Sequence, residues 1–372
     1  MSRLLKPVLI GWVAAAAVTL TGCGSSSTPS GSAPTGAGAA SSAPAPSGSA
    51  SGAVAAPIAD TLSYLASGKK PSSANIAFIT ACNSNPYCQT QTKGAQETAA
   101  KLGLKMKLFD SNFSSDTELK NVQDAVQQGF DGYVFVPVAD ASGCASYRLL
   151  KATGKPVATA NSPMCGNPDY TPGTVGFVGM QTLSFFQQHI NNAFQSCTAS
   201  CEVLAVGGFV GSDLFTRWES AIKSGLAKYP NAKVVVNQPG NFDPGAALKI
   251  TQDALQAHPN ISVIVSSWDD MTRGAEQGVT ASGKKPGSAV RIYSVGATKD
   301  GTSRVKSGSW TETSVLLPDE ETSYSVAQLA RKLATGQDTP GFSDLSKAPS
   351  VVNGPRSIFI SATNVDKFAP EY

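Results

Sequence analysis

The chain has 372 residues, room for two domains, with 41% hydrophobic and only 15% charged residues and a formal net charge of +3. Arg3 and Lys6 belong to a segment expected to be removed, which leaves a balance near +1, and no Lys/Arg run or basic stripe occurs. A nucleic-acid footprint is thereby excluded.

The N-terminus carries the first signal. Arg3 and Lys6 precede an apolar stretch from Val8 to Leu20, short of the about 20 residues a spanning helix needs, so it reads as an export signal. Leu20-Thr21-Gly22-Cys23 resembles the lipobox of bacterial lipoproteins, whose cysteine becomes the acylated first residue of the mature chain. Residues 1–22 are therefore expected to be a signal peptide, and Cys23 a lipid anchor on the extracytoplasmic face of the cell membrane. Residues 24–57 are almost wholly Gly, Ser, Ala, Pro and Thr, which cannot bury enough apolar surface to order themselves. Residues 58–73 read as a pre-domain helix or linker with a weak apolar face of Leu62, Leu65 and Ala66, and anchor and tether together are expected to span 23–73.

From Asn75 the pattern changes to strand, polar loop, helix. Ile76, Phe78 and Ile79 form the short apolar run of a strand covered on both faces, and Ala95, Ala99 and Leu102 recur at helical spacing before the stop at Gly103. Ligands in open α/β sheets sit at the loop leaving the carboxyl end of a strand. Asn83, Asn85 and Tyr87 lie there and are the first candidates for contact. A strand over Lys105–Phe109, a helix over Asp116–Gln128 and a buried strand Gly132–Val136 continue the alternation, which implies parallel pairing. After a helix over Cys144–Thr153 and a strand Pro156–Ala160, Asn161 and Ser162 leave at the same end, and Thr174–Val178 is a further strand.

Near residue 180 the alternation begins again. A helix over Leu183–Phe194 leads to the strand Glu202–Val206 and a glycine-bearing loop, Gly207 to Ser212; a long helix over Asp213–Lys228 ends at Tyr229-Pro230. Asp243 and Pro244 provide the N-cap and first position of the helix after the strand Lys233–Val236. The strand Ile261–Val265 runs into Ser266-Ser267-Trp268-Asp269-Asp270; strands over Arg291–Val295 and Thr311–Leu316 and a helix over Asp319–Leu333 complete the series. Two β/α halves of similar size point to two lobes.

Cys23 aside, the cysteines are Cys82, Cys88, Cys144, Cys165, Cys197 and Cys201, an even number that argues for disulfides in an exported chain. Sequence proximity favours Cys82 with Cys88, Cys144 with Cys165, and Cys197 with Cys201, while other connectivities stay open. The spacings do not match zinc sites and His189 and His258 are the only histidines, so no metal or cofactor is expected.

An ordered series of local matches then emerges: Asn85-Pro86-Tyr87, Lys93-Gly94-Ala95, Gln127 to Gly132, Pro137, Gly154-Lys155-Pro156-Val157, Ala227 to Pro230, Phe242-Asp243, Asp269-Asp270-Met271 and Gly274-Ala275. In this order, over about 75–340, the chain resembles a type 1 periplasmic substrate-binding protein of the ribose-binding-like branch that feeds ABC importers. The resemblance implies two doubly wound, Rossmann-like α/β lobes joined by three crossover strands, with a small molecule closed between them. It places the N-terminal lobe at 74–178 plus 317–345 and the C-terminal lobe at 179–316 plus 346–372. A monomer that hands its ligand to an ABC permease, without catalysis, is what the family implies.

Carried over residue by residue, the family's ligand positions fall on Asn85 and Tyr87, and a second aromatic becomes Cys88. Its Asp-Arg clamp becomes Asn161-Ser162, its helix arginine falls on Trp218 with Arg217 beside it, and Phe242 keeps an aromatic. Trp268 replaces an asparagine before Asp269-Asp270, and Leu316 stands where a glutamine is expected. The implied site is Asn83, Asn85, Tyr87, Asn161, Arg217, Trp218, Phe242, Trp268 and Asp269, more aromatic and less charged than a sugar clamp. The ligand is a sugar by family, or a more aromatic or apolar molecule. Asp269 reads as a cleft acceptor for ligand or Arg217, with Asp270 capping the next helix.

Look-alike motifs are weaker. Gly278 to Lys284 lacks the Ser/Thr of a phosphate loop and follows a helix, and Gly207 to Gly211 lacks the third glycine of a dinucleotide turn. A sensor of the same fold and a secreted α/β enzyme are the rival readings.

Overall fold

A computed structural model describes residues 56–372. The expected signal peptide, Cys23 and most of the tether lie outside the described residues. The end of that tether does not: Ala56–Ala66 forms helix α1, burying Ile58, Thr61 and Tyr64 rather than Leu62 and Leu65.

The first lobe follows with β1 (Asn75–Thr80), α2 (Pro86–Lys101), β2 (Lys105–Asp110), α3 (Ser115–Gln128), β3 (Gly132–Phe135), α4 (Asp140–Ala152), β4 (Val157–Ala160) and β5 (Phe177–Gly179). The chain then crosses to α5 (Leu183–Gln195), β6 (Cys201–Gly207), α6 (Asp213–Lys228), β7 (Ala232–Pro239), α7 (Pro244–Ala257), β8 (Ile261–Ser266), α8 (Asp269–Ala281), β9 (Arg291–Gly296), α9 (Lys299–Lys306) and β10 (Glu312–Val315). It returns through α10 (Pro318–Thr335) and β11 (Phe342–Asp344), and crosses a third time through α11 (Pro349–Val352) to β12 (Phe359–Ser361). The two doubly wound lobes and their three crossovers are those the resemblance implied.

The sheets share one topology. One runs β11-β5-β4-β3-β1-β2 and the other β12-β10-β9-β8-β6-β7; every pair is parallel except β10 with β12. Strand order reverses at β1/β3 in the first sheet and at β6/β8 in the second, and a crevice opens at the carboxyl ends of strands at such a switch point. β1, β3 and β4 have nearly every residue buried, as strands covered on both faces by helices must.

The crossovers are not loose linkers. Met180, Leu316, Leu317 and Leu345 are buried in the same apolar cluster as the core of the second lobe. α10 packs between α2 and α1, and the Gln328 amide donates to Thr61 Oγ1 at 3.3 Å. α1 is thereby part of the folded body, which moves the end of the tether upstream of the expected residue 73.

All three disulfides favoured by proximity are formed: Cys82–Cys88, Cys144–Cys165 and Cys197–Cys201. The first closes the loop between β1 and α2, and the second ties α4 to the loop after β4.

Candidate functional site

A cleft between the lobes is lined from the carboxyl ends of nearly every strand: Asn85 and Tyr87 follow β1, Phe113 follows β2, Pro137 and Val138 follow β3, and Asn161 follows β4. The facing wall is Phe209 after β6, Phe242 after β7, Ser267 and Trp268 after β8, and Leu316 after β10. No Asp, Glu, Lys, Arg or His side chain lines it among the described residues.

Its aromatic floor comes from two equivalent turns. Asn112-Phe113 and Asn241-Phe242 each leave an edge strand with both residues at left-handed φ, 46° and 56° in the first, 54° and 55° in the second. Ser114 and Asp243 then cap α3 and α7. Such backbone is costly for a phenylalanine and is retained where surrounding structure demands it. The result is that Phe113 of one lobe faces Phe242 of the other, rings 6.1 Å apart and 23° from parallel, with Phe209 edge-on to both. Gly208 permits this, since a Cβ there would lie 2.6 Å from the Phe242 ring. Trp268 stands edge-on to Phe242 on the other side.

A second set of lining groups is polar. Asn85 caps α2, its Oδ1 accepting from Cys88 N–H at 3.0 Å, so its carboxamide oxygen is committed to the helix. Tyr87 Oη donates to Glu321 at 2.7 Å and accepts from Asn161 Nδ2 at 3.0 Å. Asn161 holds a left-handed φ of 68° and its Oδ1 accepts from Ser162 Oγ at 3.0 Å. Buried donors without partners carry a desolvation cost. The Ser267 hydroxyl is buried in the wall with no protein hydrogen bond, and the buried Trp268 indole N–H faces the Tyr372 hydroxyl. A buried carboxylate behind the wall braces the lining: Glu118 accepts from Val138 N–H at 2.6 Å and Ser146 Oγ at 2.8 Å, and burial raises its pKa.

Of the nine expected contact residues, Asn85, Tyr87, Asn161, Phe242 and Trp268 line the cleft and four do not. Asn83 Oδ1 accepts from Thr92 Oγ1 at 2.8 Å and braces the loop against α2 instead. Trp218 is 0% exposed, on the face of α6 that packs against Phe186 and His189. Arg217 is buried and fully used: it pairs with Asp213 and donates to the carbonyls of Gln181 and Pro168, 2.7 Å each, tying α6 to the first crossover and to the loop after β4.

Asp269 is 2% exposed and turned into its own lobe. It accepts from Ser294, Thr298 and Thr313 at 2.5–2.9 Å, not from Arg217; burial pushes its pKa up to about 6 against those bonds. Asp270 does not cap α8 by a side-chain bond; the N-cap residue is Trp268, and Asp270 pairs with Arg273. The sequence reading missed Phe113, Phe209 and the carboxylate behind Tyr87. Phe113 had a signal in the Asn-Phe pair repeated at the same place in each half.

Comparison with known proteins agrees with this architecture. The family model described as "Periplasmic binding protein domain" matches residues 76–338. The chain is 25% identical over 264 residues to the ribose import binding protein of Salmonella typhimurium, covering 70% of this chain and 85% of that one. It is 25% identical over 293 residues to the xylitol-binding protein of Mycolicibacterium smegmatis, 77% and 81% of the two chains. A Caulobacter myo-inositol binding protein bound to myo-inositol superposes with TM-score 0.69 at 20% identity, covering 80% of this chain and 96% of that one. No helix of the described residues is long and apolar enough to cross a membrane. The chain belongs to the periplasmic binding protein family, as a type 1 extracytoplasmic solute-binding protein of the kind that serves ABC importers and not as an enzyme.

Proposed function

We propose that the protein captures a small uncharged molecule, a sugar, polyol or relative with an apolar face, between its lobes and delivers it to an ABC permease. The observation that carries this reading is the composition of the cleft: aromatic faces from both lobes, neutral hydrogen-bonding groups, and no charged side chain among the described residues. Aromatic faces suit the C–H surface of a sugar ring, and side-chain amides and hydroxyls suit its hydroxyls. The solutes named for the relatives, ribose, xylitol and myo-inositol, fit that description. The lack of a charged clamp favours a ligand with more apolar surface than those. Closure would follow from hinge motion at the three crossovers.

Cys23 is the proposed lipid anchor, with residues 24–55 as the tether that lets a monomeric receptor reach its permease. Residues 74–178 with 317–345 would move as one lobe, and 179–316 with 346–372 as the other.

A thermal-shift screen of the purified protein tests the reading. Binding to the native state raises the melting temperature by mass action, so a micromolar ligand registers at millimolar concentration. Sugars and polyols are expected to shift it, those with deoxy or aryl substituents most. A screen in which only charged solutes shift the transition would sink this reading.

A further inference from the structure

We propose that Glu321 is a positioning residue for ligand capture: from behind the cleft wall its carboxylate sets which way the Tyr87 hydroxyl and the Asn161 amide point. The inference rests on the reading of this cleft as the ligand site. Glu321 lies in the first turns of α10, 1% exposed, and does not line the cleft. Three neutral donors converge on its Oε2: Tyr87 Oη at 2.7 Å, Gln91 Nε2 at 2.6 Å and Asn161 Nδ2 at 3.3 Å. All three donor residues line the cleft.

An ionised carboxylate only accepts. The Tyr87 proton is therefore committed backwards, its oxygen accepts from Asn161, and the Asn161 NH₂ is turned inward. The amide oxygen accepts from Ser162 Oγ, a neighbour that also lines the cleft, and keeps a second lone pair. A ligand hydroxyl meets an acceptor there. A protonated Glu321 would instead donate, release the Tyr87 proton toward the cleft and free the amide to turn over, so the same wall would present donors.

The surroundings set where that change falls. α2 contributes Tyr87 and the neutral Gln91, and the turn after β4 contributes neutral Asn161. Tyr372 packs edge-on against Tyr87 with ring centroids 5.8 Å apart, and Glu371 accepts from the Asp319 and Glu320 N–H groups at the start of α10. Asp319 and Glu320 are the other acids of that turn. Among the described residues no lysine, arginine or histidine pairs with Glu321. Burial accordingly pushes its pKa up to about 7, with the three donors pulling the other way.

The test begins without ligand. In a ¹H–¹⁵N spectrum of the protein, the Asn161 side-chain amide is expected to shift with pH about a midpoint near neutral, and Glu321→Gln to abolish that titration. Calorimetry with D-ribose and xylitol at pH 5.5 and pH 8 follows. Wild-type affinity is expected to fall several-fold at the acid end, and that of Glu321→Gln to stay flat at the weaker value. An Asn161 amide that does not titrate in the wild type, or that titrates identically in the variant, overturns the proposal, as do parallel pH profiles of affinity. If neither solute binds the wild type at either pH, the choice of these solutes fails while the amide titration still decides the role of Glu321.

Discussion

Trp218 and Phe242 show how one residue type takes two jobs. Both are aromatic and both fall on family ligand positions, but Trp218 sits on a helix face, where a rotation of one residue exchanges cleft for core. Its neighbours Phe215, Ala221 and Ile222 are buried with it, and that makes it core. Phe242 sits in a turn whose left-handed backbone directs the ring across the cleft. The two truncations should therefore separate. Trp218→Ala should cost about 3–5 kcal/mol of stability by removing a large, fully buried side chain. Phe242→Ala should leave the denaturation midpoint close to wild type and weaken ligand binding about tenfold, the worth of one good aromatic face. Denaturant unfolding combined with a binding titration checks both, and a Phe242→Ala variant with unchanged affinity would remove the ring from the site.

At the scale of elements, the strand-loop-helix unit from β1 to α2 was legible because each part is local. The strand run, the polar loop bearing Asn85 and Tyr87, and the Cys82–Cys88 pairing all lie within a short stretch of sequence; that Asn85 also caps α2 appears only in the structure. Its polar anchor was not legible: Glu321 meets Tyr87 across 234 residues, on a helix that rejoins the first lobe only after the second has been built. Periodicity identifies α10 as amphipathic, yet no local pattern says which of Asp319, Glu320 and Glu321 points inward. The disulfide gives the local part a measurable role. Opening a loop of sequence separation 6 should cost about 2 kcal/mol by chain entropy. Because the same loop carries Asn85 and Tyr87, a Cys82→Ser/Cys88→Ser double variant should also bind ligand more weakly. Loss of stability with affinity intact would show that α2 alone holds the two side chains in place.

Across the whole molecule, two lobes joined three times enclose several carboxyl groups, and their burial dictates how stability varies with pH. Desolvation raises Asp269 to about 6, Glu312 and Glu321 to about 7, and Glu371 to about 8, each against hydrogen bonds that favour the ionised form. A carboxyl whose folded pKa lies above its unfolded value binds more protons in the folded state. Its contribution is therefore lost as pH rises from the unfolded value to the folded one. His189 works in the opposite direction: buried beside Ser314 and pushed down to about 3, it penalises the folded state as pH falls below 6.5. Between pH 6.5 and 8 only the carboxyls act. Between about 4.5 and 6.5 four carboxyls oppose one imidazole, so stability should still rise toward acid. The melting temperature of the ligand-free protein is thus expected to be highest near pH 5 and to fall by several degrees by pH 8, and Glu312→Gln should flatten that slope. A melting temperature that climbs from pH 5 to pH 8 would mean that these carboxyls ionise at ordinary values, and that the polar corner behind Tyr87 is open to water rather than sealed by the hinge.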